Sequence, residues 1–92
     1  MMKEHVLKTD QIPFKATVAG RKNWEIRKND RGYQVGDVLI LRETIHTGQE
    51  MSEGFPLEYT GRVCEVWVTL IIDGYGLEPG WCVMSTQACK IC

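Results

Sequence analysis

Lys22, Glu25 and Arg27 are the residues in this chain whose types and spacing can do chemistry together. A carboxylate two positions before a guanidinium stands on the same side of an extended strand, about 6.6 Å away along the chain, so the two can pair or hold a group between them. Alternation puts Asn23, Glu25 and Arg27 on one face and turns Trp24 and Ile26 inward on the other. The carboxylate can accept hydrogen bonds from an exocyclic amine of a base, and the guanidinium can fork onto a phosphate or carbonyl. Lys22 would add a mobile positive charge. As an ordinary exposed pair, Glu25 and Arg27 would contribute less than about 1 kcal/mol.

These residues sit in a basic stretch from Gly20 to Arg31, where Arg21, Lys22, Arg27, Lys28 and Arg31 outnumber Glu25 and Asp30, inside a chain of net charge -1. Arg21, Lys28 and Arg31 read as a solvated rim able to attract a phosphate backbone through counterion release. Tyr33 and Tyr75 fall in turn-rich segments and are expected to be exposed aromatics able to stack on an unpaired base. Trp24, Trp67 and Trp81 lie inside strand patterns and are assigned mainly to packing.

The elements that must position this stretch follow from punctuation and periodicity. Glu4 to Lys8 reads as a short strand. Thr9-Asp10 then caps a helix with Pro13 in its first turn, and Gly20 closes it, placing Lys22 at the mouth of a sharp turn into a strand from Asn23 to Lys28. Asn29 to Gln34 is a polar loop, and Gly36-Asp37 turns into a strand from Val38 to Glu43 whose apolar run implies burial on both faces. Thr47 to Pro56 reads as an exposed loop. Arg62 to Ile72 is the longest strand candidate, with Cys64, Val66, Val68, Leu70 and Ile72 on one face, and Trp81 to Ser85 is the last strand. The expectation is a single α+β domain over residues 1–92, a small barrel of about five strands with one early helix, ending in a flexible tail from residue 87.

Gly20, Lys22, Glu25 and Arg27 spell G-x-K-x-x-E-x-R, which resembles the signature of the ASCH (activating-signal-cointegrator homology) family of the PUA-like superfamily. His5-Val6-Leu7-Lys8 is similar to that family's first strand and Val35 to Leu41 to its strand entered through a Gly-Asp turn. Ile26 to Arg31 resembles a short bacterial and phage subgroup. The resemblance implies a PUA-like barrel whose cleft is lined by Lys22, Glu25 and Arg27, and a role in binding RNA or a nucleotide. Arg21, Lys28, Arg31 and Tyr75 complete the candidate ligand-binding set. One branch of the family consists of small amidohydrolases acting on N4-acetylcytidine. That branch carries threonine where Glu25 stands, and its further catalytic glutamate falls in a segment shortened here to Asp73–Gly80, so no catalytic residue is assigned.

A third function class remains beside RNA binding and amidohydrolysis. A phage-type accessory protein could dock on another protein through the acidic second half, where Glu43, Glu50, Glu53, Glu58, Glu65, Asp73 and Glu78 face Arg62 alone between Arg42 and Lys90. Metal-dependent nuclease chemistry is unsupported, because Asp30, Asp37 and Glu43 are scattered acids without spacing for two metals. Cys89-x-x-Cys92 with Cys64 and Cys82 has the ligand count of a zinc site, yet Cys64 and Cys82 lie in apolar strands where a small buried thiol is the simpler account. No cofactor is expected. An apolar share of 43% with 25% charged residues is globular composition, and no run reaches the roughly 18 apolar residues of a membrane span. With no signal-like segment at Met1 to His5, the expected location is the cytoplasm.

Overall fold

The computed structural model describes residues 2–89. The first strand, β1 (Glu4–Thr9), alternates without a break: His5, Leu7 and Thr9 are buried, and Glu4, Val6 and Lys8 are exposed. Asp10 starts α1 (Gln11–Val18) with an extended backbone but makes no side-chain cap on that helix. Its carboxylate instead accepts from the backbone N–H of Gly48 at 3.0 Å, so the expected capping residue is right in place and serves a different helix. Phe14 and Thr17 face the sheet, and Ile12 is left in solvent.

The end of α1 fixes where the basic stretch begins. Gly20 sits at φ +78°, a left-handed conformation that costs a residue with a Cβ and costs glycine little. Its N–H donates to Thr17 and that of Arg21 donates to Ala16, the paired bonds of a Schellman closure. The N–H of Lys22 also donates to the Ala16 carbonyl, at 3.1 Å, so the helix end holds the lysine backbone directly. β2 (Trp24–Lys28) follows.

β3 (Val38–Thr44), α2 (Gly48–Ser52), β4 (Tyr59–Ile72) and β5 (Trp81–Ala88) complete the chain. The segment expected to be a bare exposed loop from Thr47 contains α2. Thr47 accepts from the N–H of Glu50, and the Glu50 carboxylate accepts from the N–H of Thr47, a reciprocal cap that nucleates even this short turn. The strand order is β1-β3-β4-β5-β2, with β1 parallel to β3 and every other pair antiparallel. β5 pairs with β4 as far as Ala88, past the point where a tail was expected, and residues 90–92 of that tail lie outside the described residues.

Between β4 and β5 the pairing shifts after Val68, because Val68 opposes Thr86 and Leu70 opposes Ser85, leaving Thr69 as an extra residue. Such a bulge reverses which face later residues occupy. Cys64, Val66 and Val68 are buried as alternation predicts, but beyond the bulge it is Ile71 that packs on the core, while Leu70 and Ile72 are exposed.

The core is Leu7, Phe14, Tyr33, Leu39, Leu41, Cys64, Val66, Val68, Cys82 and Met84. No tryptophan belongs to it: Trp24, Trp67 and Trp81 are 46%, 53% and 37% exposed, which corrects their assignment to packing. They stand at outward positions, and the inward ones on β4 and β5 are filled by cysteine, valine and methionine, whose volumes suit the inside of a small curled sheet. Tyr33 is the converse correction. Expected in solvent, it is 5% exposed and packs edge-on against His5, with ring centroids 4.8 Å apart.

That ring covers a buried polar knot at the entrance to β3. Asp37 accepts from the backbone N–H of Lys3 and of Gln34, each at 3.0 Å, and pairs with Nε2 of His5 at 2.8 Å. Burial alone would push its carboxyl up, but these hydrogen bonds outweigh it and hold the Asp37 pKa below the ordinary carboxylate value. A group depressed in the folded state contributes stability above its unfolded pKa, about 3.9, and loses it as pH falls through the folded value. Asp37→Asn should therefore destabilise the protein by about 2 to 3 kcal/mol at pH 7, and the difference from wild type should shrink below about pH 4. Urea titrations at pH 7 and pH 3.5 check this, and a pH-independent difference would contradict it.

Candidate ligand cleft

β1 and β2 lie at opposite ends of the strand order, yet two side chains join them. Both terminal nitrogens of Arg27 donate to the carbonyl of Lys8 at 3.3 Å, and Nη1 of Arg31 donates to the carbonyl of Val6 at 2.9 Å. The sheet thus curls until its margins face each other, forming a half-barrel whose last seam is bridged by guanidinium groups. The candidate site lies along that seam.

Alternation along β2 is as expected, but its sense is inverted. Glu25 is 3% exposed and points inward with Arg27, whereas Trp24 and Ile26 point outward. The physical reason is mutual neutralisation. One oxygen of Glu25 is paired with Nζ of Lys22, and the other accepts from Nε of Arg27 at 3.0 Å. A carboxylate between two cations can be buried at a tolerable desolvation cost, and a lone one cannot.

Lys22 is consequently not a mobile charge. Its ammonium donates to the Trp24 carbonyl at 2.6 Å and to Glu25, and lies 4.7 Å from the centroid of the Trp24 ring. Its side chain is only 10% exposed. Arg27 is held less tightly: beyond Nε, its contacts to Lys8 and to the Thr9 hydroxyl are 3.3 to 3.5 Å long, at or past the limit of good hydrogen bonds. An incoming oxygen could replace them.

A hollow of about 320 Å³ opens over this cluster, with Lys22, Glu25 and Arg27 on one side, Lys8 to Asp10 and Pro13 on the other, and Trp24 and Ile26 at its lip. A second, of about 330 Å³, continues along the seam past Arg27 and is lined by Lys28, Asp30, Arg31 and Trp81 over Leu7 and Tyr33. Arg27 and Ile26 border both. A larger hollow of about 520 Å³ beside the starts of α1 and α2 contains Asp10 and Glu50 and no cation. It does not suit an anion.

Of the residues singled out from sequence, Lys22, Glu25 and Arg27 meet in the first hollow and Lys28 and Arg31 border the second. Arg21 is exposed and borders neither. Tyr75, 91% exposed at φ +50° in the turn between β4 and β5, is likewise outside both. Sequence reasoning missed Thr9, Trp24 and Trp81. Thr9 carries no such signal in the sequence, because Val6 and Leu7 are adjacent and both apolar and the buried face of β1 holds polar His5 and Thr9, whereas the two tryptophans were obscured by the assumption that a large aromatic in a strand packs inward.

Among the described residues no group of histidine, cysteine or acidic side chains is arranged to hold a metal ion. Cys64 and Cys82 are both buried in the core, but only Cys82 is the free thiol expected there, since Cys64 is disulfide-bonded; Cys92 of the proposed C-x-x-C lies outside the described residues. No helix among the described residues is long and apolar enough to cross a membrane.

A protein-family model described as a domain of unknown function, DUF3850, matches residues 4–86. The chain belongs to the DUF3850 family. This DUF3850 domain is also 36% identical over 73 residues to a protein of Escherichia phage P2 described as an "Uncharacterized 12.9 kDa protein in GpA 3'region". The match covers 79% of this chain and 58% of the phage protein, so the chain spans less than two thirds of that relative's length. The family match takes in all five strands except the last residues of β5, and with them the whole seam.

Proposed function

We propose that this DUF3850 domain is a PUA-like module of ASCH type that binds RNA or a nucleotide at the Lys22, Glu25 and Arg27 cleft. The observation that carries the proposal is a pair of cations fixed by one buried carboxylate at the floor of a hollow of about 320 Å³. Such a cluster retains a net positive charge, its positions are set before any ligand arrives, and the loosely held end of Arg27 offers a planar fork to a phosphate or a base carbonyl. The exposed Trp24 at the lip supplies an apolar face beside that charge. The G-x-K-x-x-E-x-R pattern, through its resemblance to the ASCH signature, supports the same reading.

Amidohydrolysis is less well supported. Thr9 brings a hydroxyl to the cleft, but it donates to the Leu7 carbonyl, and the group beside it is the Arg27 guanidinium, which cannot take a proton. Both oxygens of Glu25 already face cations. Glu25→Thr should therefore not create turnover of acetylated cytidine. Docking of another protein on the acidic half has fewer free carboxylates to use than the composition suggests, since Glu43 is buried and Glu50 is engaged in the cap of α2.

The test is titration of short RNA oligomers at low and moderate salt, with nucleosides scanned in parallel for turnover. Binding should weaken with salt, and Arg27→Ala should weaken it by about 1 to 3 kcal/mol. Absence of binding at low salt would overturn the proposal, and turnover by wild type would replace it with an enzymatic role.

A further inference from the structure

Resting on the cleft as a nucleic-acid site, we infer that the seam is a two-compartment groove for a single strand, with one base stacked on Trp24, another on Trp81, and the connecting phosphate at Arg27. The two hollows are similar in size, about 320 and 330 Å³, and have Arg27 and Ile26 as their common border. A tryptophan stands in each, 46% and 37% exposed, although nothing in the core needs either ring. Trp81 pairs with Lys28 across β2 and β5, so the two rings are separated by the four-residue advance from Trp24 to Lys28, about 13 Å along the strand.

The charges lie between and beside the rings. Arg27 is at the divide, and Arg31 and Lys28 flank the second compartment. Arg31 spends one nitrogen on the Val6 carbonyl, and its planar group carries further donors. Aromatic faces alternating with cations are what an unpaired strand requires, because every base has a π-face and every linkage a phosphate. A free mononucleotide would fill one compartment only.

Competition at low salt between uridine monophosphate, a uridylate RNA hexamer and its deoxy counterpart, read by anisotropy of a labelled hexamer, tests this. The hexamer should bind at least about tenfold more tightly than the mononucleotide, and Trp24→Ala and Trp81→Ala should each weaken it about five- to hundredfold. Trp67→Ala borders neither hollow and should leave binding within about twofold. Trp81→Phe should retain most of the affinity, which separates stacking from loss of fold. The deoxy hexamer should bind within a few-fold of the RNA, since stacking and phosphate contact do not use the 2′-hydroxyl, and a strict ribose requirement would overturn the inference. Equal affinity for monophosphate and hexamer, or indifference to Trp81→Ala, would overturn the second compartment and leave the cleft standing. Failure of all three ligands to bind would overturn both.

Discussion

Glu25→Ala should destabilise the protein by about 3 to 5 kcal/mol, because it removes the one anion that lets Lys22 and Arg27 share a largely buried site. The side chains of Glu25, Lys22 and Arg27 are 4%, 10% and 26% exposed, so solvent offers limited relief to the cations left behind. Glu25→Gln keeps the shape but turns an amide toward an ammonium and should cost less. Adding Lys22→Met to Glu25→Gln should recover part of that loss, since the amide then no longer faces a buried ammonium and only the more exposed Arg27 is left without its carboxylate. Denaturant titration of wild type, Glu25→Gln, Lys22→Met and the double variant gives the coupling directly. A Glu25→Ala variant as stable as wild type would show that the cluster is an ordinary surface pair, the value that spacing alone suggests.

Phe14→Ala should be as damaging, at about 3 to 5 kcal/mol, and for an apolar reason. Phe14 is 1% exposed, is the one apolar side chain that α1 buries fully, and lies under the Arg62 guanidinium at 5.2 Å from its ring centroid. Losing it leaves a cavity and detaches the helix whose end holds the Lys22 backbone. Phe14→Leu fills most of the space and should cost about 1 kcal/mol, with the cleft intact. Amide exchange across residues 11–22 distinguishes the outcomes: it should accelerate in Phe14→Ala ahead of global unfolding. Uniform acceleration throughout the chain would mean that α1 is not a separable clamp.

What the sequence showed of this arrangement was periodicity, and what it hid was direction. The strands read as Glu4 to Lys8 and Asn23 to Lys28 are present within a residue of those bounds as Glu4–Thr9 and Trp24–Lys28, and Gly20 and Asp10 mark the helix ends. On β2, however, either face can be written as the inner one. Trp24 and Ile26 are apolar, and only the closure of Lys22, Glu25 and Arg27 upon one another makes the charged face buriable. Pairwise neutralisation across one and two residues is invisible to a hydrophobicity pattern. The bulge at Thr69 was hidden for a related reason: β4 is apolar on both faces there, so nothing in the pattern marks the change of side. α2 was legible in Thr47-x-x-Glu50 and was masked by the glycines and proline around it. The second hollow depends on β1 and β2 meeting, and no local feature of either strand announces that.

The guanidinium bridges along the seam also bear on how the molecule coexists with its own copies. A strand at the end of a sheet presents bare carbonyls and N–H groups, the template on which another chain can add and from which fibrillar association grows. In β1 the carbonyls of Val6 and Lys8 are already occupied by Arg31 and Arg27, and charged side chains take the place where a neighbouring backbone would lie. The two arginines proposed to attract a ligand thereby make the margin repellent to an intruding strand. Selection for solubility and selection for recognition fall on the same atoms, and a variant chosen to relax one would expose the protein to the other.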